Sequence, residues 1–413
     1  MHLKKNINKT IIKKFALIKK AKFYGANFQT TYSCSLKKHY DEIEFNKAKN
    51  KVEQRNNKKK KLTSAILLVV NIIIISGIFV YYGLTSGIES PGNLLQLNID
   101  YKYLILAVVA LIVVNFIDSF RFAQLTYKTI GKFKLFLGFK THITGKYYDN
   151  ITPFAVGGQP FQIFYLNKKG IPADKATSIP LAKALFTNIA FSLLSIIVVV
   201  LNIFLHITTS PVIIVISIIG FIANAGLIFL IILLSTSKRV GPILVIKVLK
   251  LLNKLKIIKN YKKTFFKVSR FVKNYQKVFI SYAKSIWTVI SQVVLAIITY
   301  IATYLIVYFI YLAFLPESGS LSTLSYFHVF CSMILCELCT SIMPLPGGTG
   351  MAEISFDALL KNWFSVTLFP WALLIWRILT YFVYIIGGIL KMIISFFCSA
   401  FKKQINKNVS KTN

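Results

Sequence analysis

The stretch NITPFAVGGQPFQ, residues 150–162, interrupts a long apolar region of this 413-residue chain, and SIMPLPGGTGMAE, residues 341–353, interrupts another. We call them the first break and the second break. Matching Gly157 to Gly347 places them 190 residues apart. Glycine and proline break helices, and a bilayer accepts irregular backbone only where protein or a water-filled cavity covers it. Paired interruptions in the two halves of a membrane protein therefore mark a candidate working site.

The composition around the breaks is that of a membrane protein rather than a soluble domain. Hydrophobic residues make up 55% of the chain, and only 13 acidic residues stand against 50 Lys and Arg. Six apolar runs each reach the roughly 20 residues that cross a bilayer. They cover residues 63–84, 101–122, 179–205, 211–235, 287–315 and 369–398. We predict an all-α integral membrane protein and, because residues 1–61 are polar and Lys-rich, no cleaved signal peptide.

The distribution of Lys and Arg predicts how the chain is oriented. Residues 1–61 contain 18 Lys and Arg against four acids, and residues 238–284 contain fourteen and no acid. Basic loops lie on the cytoplasmic side, against anionic lipid. We therefore expect a multi-pass protein of the cytoplasmic membrane, with both termini in the cytoplasm. The same reasoning favours anionic phospholipid over nucleic acid as the partner of the basic segments.

The breaks fit this orientation as the tips of two re-entrant helical hairpins. The first hairpin, at about 135–167, has basic flanks and begins and ends inside, whereas the second, at about 326–362, begins and ends outside. The predicted fold is about six full spans plus two re-entrant hairpins arranged as an inverted repeat. Its parts are a basic extension 1–61, a membrane domain 62–398 and a basic tail 399–413. Within the domain, repeat one is 62–207, repeat two is 211–398, and 236–286 is a cytoplasmic linker.

The breaks also carry candidate chemistry. Helices predicted to begin at Gln159 and Met351 follow glycine pairs, and free amides at helix N-termini suit phosphate or carboxylate groups. The alternative is that the glycines only let helices pack closely. The candidate headgroup-binding residues are Asn150, Pro153, Gly157, Gly158, Gln159, Gln162, Lys183, Pro346, Gly347, Gly348, Gly350, Glu353 and Arg377.

Ionisable residues at membrane depth are costly, so each is a functional hypothesis. Asp118 and Arg121 lie three residues apart on one helix face and are expected to neutralise each other. With Glu337, they are the candidates for charge coupling. For Arg121, Lys183 and Arg377 the alternative is that the side chain reaches the membrane surface. His142 is expected to pack, and we predict no metal site, cofactor or catalytic residue.

At these residues the chain resembles the flippase-like membrane domain of the lysylphosphatidylglycerol synthase family. The resemblance covers roughly residues 63–398. It rests on Asn150 with Pro153 and the glycine pair, on NKKGIP at 167–172 with Lys183, on PLPGG at 344–348 with Gly350 and Glu353, and on Arg377. One departure concerns Gln159 and Gln162, which stand where the family pattern commonly has an acid and, three residues later, an arginine.

The resemblance implies a bacterial flippase that moves a phospholipid or polyprenyl-phosphate lipid, with Glu353 and Arg377 balancing charge. The full synthases carry a soluble aminoacyl-transfer domain after the membrane region, whereas this sequence ends about 15 residues after its last predicted span. We therefore expect no transferase activity in this chain. Two alternatives stay open: a membrane component of a phosphatidylglycerol lysyltransferase, which the resemblance links to resistance to cationic antimicrobial peptides, and an ion-coupled solute transporter. A homodimer and a separate aminoacyltransferase stay open as protein partners.

Overall fold

The structure is a computed structural model that describes residues 99–155, 157–237, 261–314, 324–365 and 368–390, together with residues 73, 76, 77 and 243. Every regular element within these ranges is helical. The basic extension 1–61, nearly all of the first predicted span 63–84, much of the linker and the tail 399–413 lie outside the described residues.

Ten α-helices form the described part of the chain. They are α1 Tyr101–Ile130, α2 Leu135–Ile151, α3 Gly158–Lys168, α4 Ala173–Leu205, α5 Pro211–Thr236, α6 Tyr261–Ala283, α7 Ile286–Ala313, α8 Tyr326–Thr340, α9 Met351–Leu360 and α10 Phe369–Arg377. A π-helical turn, Ile378–Phe382, continues α10, and the apolar helix reaches Leu390. Short 3-10 turns lie at Pro153–Ala155 and Pro346–Gly348, within the two breaks.

Five of these helices are long and apolar enough to cross a membrane. They are α1, α4, α7, the apolar part of α5 and the extended α10. Their outer faces expose large apolar side chains such as Ile112, Phe204 and Phe229. Such faces are unfavourable in water and favourable in contact with lipid. The structure therefore confirms the prediction of a multi-pass helical membrane protein. It shows five of the six predicted spans, the sixth being the one at 63–84.

The helices on either side of each break are shorter than the spans. At 1.5 Å per residue, the 11 residues of α3 and the 10 of α9 reach only about 16 Å, against a hydrocarbon core of about 30 Å. Helices α2 and α3 pack against each other across the first break, as α8 and α9 do across the second. The order of span, short helix, break, short helix and span thus occurs twice, at α1–α4 and at α7–α10.

The core lies mainly in the second of these two groups. A large buried cluster joins α7, α8, α9 and α10 to α1, with members such as Tyr304, Ile334, Phe356 and Phe369. A second cluster joins α1, α3 and α4 to α6 through Phe122, Leu166, Ile179 and Tyr282. Helices α8 and α9 are therefore packed on most sides. The environment of α2 and α3 is more open, since Phe136, Phe154 and Phe164 are each more than half exposed.

Candidate functional site

The two breaks, far apart in the sequence, meet in the structure. The turn Pro153–Ala155 packs against the turn Pro346–Gly348. The Asn150 side-chain amide donates to the backbone carbonyl of Tyr381 at 3.1 Å. The Tyr381 hydroxyl donates in return to the backbone carbonyl of Asn150 at 3.0 Å. This reciprocal pair joins the two halves of the chain at their irregular backbone.

At the first break, both glycine amides already have acceptors within the protein. The Gly158 amide donates to a carboxylate oxygen of Asp149 at 2.7 Å, and the Gly157 amide donates to the Thr152 hydroxyl at 2.9 Å. Helix α3 begins at Gly158, one residue before the predicted start. A phosphate could reach these amides only by displacing Asp149 and Thr152. We therefore look for the ligand site beside the break rather than on its backbone.

A polar cavity of about 180 Å³ lies beside the first break, between α1, α2, α3 and α4. We call it the polar cavity. Gln159 and Gln162, the two residues at which the chain departs from the family pattern, both line it. The Gln162 side chain is buried and lies where Gly145 leaves room for it. The ionisable side chains of its lining are Asp118, His142, Lys146, Asp149 and Lys183.

Asp118 is the centre of a buried charge cluster on one wall of the polar cavity. One of its carboxylate oxygens accepts from Arg121 Nη1 at 3.0 Å and from Lys183 Nζ at 3.1 Å. The other oxygen is 3.4 Å from His142 Nδ1. Arg121 also donates to the Thr187 hydroxyl at 2.8 Å. The predicted Asp118–Arg121 pair is present, and Arg121 and Lys183 both bind Asp118 rather than reaching the membrane surface.

Lys146 is the cation of the polar cavity that sequence reasoning missed. Its side chain is exposed, and among the described residues no carboxylate lies within ion-pairing distance of its ammonium. The ammonium lies over the Tyr384 ring, 6.0 Å from the centroid. Asp149 and Glu337 interact with it electrostatically over longer distances. In the sequence, Lys146 is one of the basic residues before the first break, and only its spacing of three residues from Asp149 sets it apart.

The second break is closed by a buried ion pair. Arg377 Nε donates to Glu353 Oε1 at 2.6 Å, and the two residues are 4% and 1% exposed. The other Glu353 oxygen accepts the Gly350 amide at 2.6 Å, and Arg377 Nη1 lies 3.4 Å from the Gly347 carbonyl. Helix α9 begins at Met351, as predicted. The pair therefore holds the break to α10, and Arg377 does not reach towards the membrane surface.

The remaining headgroup-binding candidates at the second break, Pro346, Gly347 and Gly348, take part in the packing and hydrogen bonding of the fold. Gly347 has a left-handed φ of 65°, and a Cβ there would lie 2.2 Å from the Tyr381 ring. The Gly348 amide donates to the Leu345 carbonyl at 3.1 Å. Pro346 is buried, whereas Pro153 at the first break is exposed.

Glu337 is not part of the Asp118 cluster, although sequence analysis grouped it with Asp118 and Arg121. It accepts a hydrogen bond of 2.5 Å from the Tyr304 hydroxyl of α7. Among the described residues, its electrostatic interaction with Lys146 is the link between Glu337 and the polar cavity. The candidate charge-coupling residues therefore lie in two places, one in each half of the chain.

A comparison with protein-family models matches residues 67–388 to the family described as "Lysylphosphatidylglycerol synthase TM region". The matched region is more than half of the chain and confirms the resemblance drawn from the breaks. Comparison with curated proteins and with solved structures gives no significant match.

Proposed function

The chain belongs to the family of lysylphosphatidylglycerol synthase TM regions, and from that premise we propose that it moves anionic phospholipids across the cytoplasmic membrane. The observation that carries the proposal is the exposed ammonium of Lys146 at the polar cavity, beside the junction of the two breaks, which has no ion pair with any described residue. The family match concerns the membrane region, so aminoacyl transfer is not part of the proposal.

The charges of the polar cavity favour an anionic ligand. The lining has two cations, Lys183 and Lys146, and two carboxylates, Asp118 and Asp149, and the buried Arg121 behind Asp118 adds a third cation. Two of the cations share Asp118, and Asp149 accepts the Gly158 amide, which leaves Lys146 to bind an anion. A phosphate would complete its charge-assisted hydrogen bonds there. Gln159 and Gln162 add amide groups that bind oxygen atoms of a glycerol or sugar without selecting its charge.

The polar cavity has room for a lipid headgroup but not for a whole lipid. At about 30 Å³ per water in the liquid, 180 Å³ has room for about six water molecules, close to the bulk of a phosphate with a small polar substituent. We propose that the acyl chains stay in lipid while the headgroup crosses near the junction of the breaks. Re-entrant hairpins from opposite faces, with both termini in the cytoplasm, would place that junction near the midplane, where transporters of this kind bind their substrates.

Reconstitution into vesicles tests the proposal. We expect fluorescent phosphatidylglycerol to redistribute between leaflets faster in vesicles with the protein than in protein-free vesicles, and faster than fluorescent phosphatidylcholine in the same preparation. Lys146→Gln should abolish the preference for phosphatidylglycerol, whereas Lys168→Gln, an exposed change at the end of α3, should preserve it. The absence of redistribution with folded wild-type protein would refute the proposal.

A proton-coupled transporter is the second candidate, favoured by the hydrogen bond between Tyr304 and Glu337 in the second half of the chain. A buried or half-buried carboxylic acid at membrane depth is suited to carrying a proton. This candidate predicts that the same vesicles lose an imposed pH gradient faster with wild-type protein than with Glu337→Gln. Lipid redistribution without proton movement would exclude it.

A further inference from the structure

An apolar groove of about 700 Å³ opens between α1, α2 and the end of the extended α10. Its walls are formed by aliphatic and aromatic side chains, among them Leu111, Phe116, Phe139, Ile143 and Val383. The volume lies in the range of protein sites for small molecules, about 300–1,000 Å³. The groove is therefore a concave site on the lipid-facing side of the protein and differs from the convex outer faces of the spans.

The apolar groove adjoins the polar cavity through a shared wall. Asn115 lines the groove, and its side-chain oxygen is 3.1 Å from Nε2 of His142, which lines the polar cavity. The same oxygen accepts the hydroxyl of Tyr384, another groove residue, at 3.2 Å. Lys146, at the cavity, places its ammonium over the Tyr384 ring. The polar atoms of the wall thus bond to one another, and the cation stands where groove and cavity meet.

We propose that the apolar groove holds one acyl chain of the phospholipid whose headgroup phosphate binds Lys146, an inference that rests on the proposed function. The occupant is a lipid because the apolar groove adjoins a cation that has no ion pair with any described residue, and a phospholipid joins an apolar chain to an anionic phosphate in one molecule. A soluble phosphate compound would use the polar cavity and leave the groove empty. A second copy of the chain would use the groove and leave Lys146 without its anion.

The position of the apolar groove also defines a route. Helices α2 and α10 border it, and both lead to the junction of the breaks, where Asn150 of α2 bonds to Tyr381 of the π-helical turn. A lipid would therefore reach the polar cavity sideways from the bilayer, between these two helices, with its acyl chain still in an apolar environment. Because the acyl chain of the lipid never passes polar side chains, only the headgroup has to lose its hydration.

Gly387 allows a sharp test because it lines the apolar groove and has open space where a Cβ would be. Gly387→Trp would fill the groove with an indole. Gly226 of α5 is a matched control, since it too is exposed, has open space at the Cβ position and lies away from the groove. Native mass spectrometry of the purified, delipidated protein would measure the binding of phosphatidylglycerol, phosphatidylcholine and glycerol 3-phosphate, together with the oligomeric state.

We expect Gly387→Trp to bind phosphatidylglycerol at least tenfold more weakly than Gly226→Trp, a difference of about 1.4 kcal/mol. Glycerol 3-phosphate should bind weakly and equally to both variants. Phosphatidylglycerol carrying a diazirine on its acyl chain should label residues 135–143 and 383–387 of the wild-type protein, which tests the groove without any substitution. Equal lipid binding by the two tryptophan variants, or labelling elsewhere, would overturn the proposal.

The same measurements separate this inference from the proposed function. If Gly387→Trp loses both phospholipids but the wild-type protein does not prefer phosphatidylglycerol over phosphatidylcholine, the apolar groove stands and the proposed selection of anionic phospholipids fails. If glycerol 3-phosphate binds as tightly as phosphatidylglycerol, the source of the anion is soluble and the groove proposal fails. If Gly387→Trp changes the fraction of dimer and leaves lipid binding unchanged, the occupant is a second copy, which also overturns the proposal.

Discussion

The first and the second break share a glycine pair but differ in how they hold charge. At the second break, Glu353 and Arg377 are buried and bonded to each other and to the backbone of the break. At the first break, Asp149 accepts one amide of the break, and Lys146 is exposed beside a cavity and forms no ion pair within the described ranges. The charged side chains of the second break bind each other, whereas the ammonium of Lys146 at the first break is available to a ligand.

This difference assigns different tasks to similar sequences. A buried ion pair resists rearrangement, because separating it leaves a charge in a medium of low polarity. A cation at membrane depth is costly to hold without a partner, and an anion bound at Lys146 would relieve that cost without first breaking an ion pair. We infer that the second break is the fixed half of the junction and the first break the working half. The family resemblance pointed instead to Glu353 and Arg377, at the second break, as the residues that balance charge.

Breaking the Glu353–Arg377 pair should have the largest effect on stability. Arg377→Gln alone leaves Glu353 buried without its cation, and we expect a loss of about 3–5 kcal/mol in the free energy of unfolding. The double variant Glu353→Gln with Arg377→Gln leaves no uncompensated charge and should be more stable than Arg377→Gln. Unfolding titrations with SDS in mixed micelles would measure both. A single variant as stable as the double variant would show that the pair does not fix the second break.

Gly347→Ala should have the next largest effect, and Gly131→Ala is its control. Both glycines have left-handed φ values, 65° and 70°, so each alanine carries about 1–2 kcal/mol of backbone strain. A Cβ at Gly131 meets open space, whereas a Cβ at Gly347 meets the Tyr381 ring. Overpacking should add about 1–3 kcal/mol at Gly347 alone. Equal losses in the same titration would mean that the contact between the second break and α10 is loose.

Tyr381→Phe tests the bond that joins the breaks. It removes the hydroxyl that donates to Asn150 and keeps the ring, so we expect a loss of about 1 kcal/mol. Tyr326→Phe removes a similar hydrogen bond to a backbone carbonyl, that of Ile301, away from the breaks. The two variants should lose similar stability, but only Tyr381→Phe should change the rate of lipid movement. Equal rates in both would show that the junction plays no part in transport.

Lys146→Gln should have the smallest effect on stability. Its side chain is exposed and forms no ion pair with the part of the chain that the structure describes, so the free energy of unfolding should stay within about 0.5 kcal/mol of wild type. Lys168→Gln is the matched surface control. A large loss of stability in Lys146→Gln alone would indicate that Lys146 is a structural residue, held by its longer-range interactions with Asp149 and Glu337.

Local features of this fold could be predicted from the sequence, and long-range ones could not. The start of α9 at Met351 and the Asp118–Arg121 pair depend on neighbours within a few residues, so composition and spacing were sufficient. The inward direction of Lys183 and Arg377 depends on partners in other helices. Spacing alone therefore left the membrane surface open as an alternative for both.

The polar cavity and the junction show the same limit more clearly. Asn150 and Tyr381 are 231 residues apart in the chain, and no local pattern indicates that they bond. His142 had been assigned to packing because no metal-binding residues accompany it in the sequence, but in the structure it reaches both Asp118 and Asn115. Lys146 resembled any other lysine of a basic flank until the arrangement of four helices placed it at a cavity.

The most direct test of the account compares lipid movement by Lys146→Gln with that by the double variant Glu353→Gln with Arg377→Gln. Each would be reconstituted into vesicles at the same amount of folded protein, at a temperature where both are stable, with fluorescent phosphatidylglycerol as the probe. The account predicts that Lys146→Gln loses the rapid redistribution and that the double variant retains it. Retention by Lys146→Gln together with loss in the double variant would contradict the assignment of the working site to the first break.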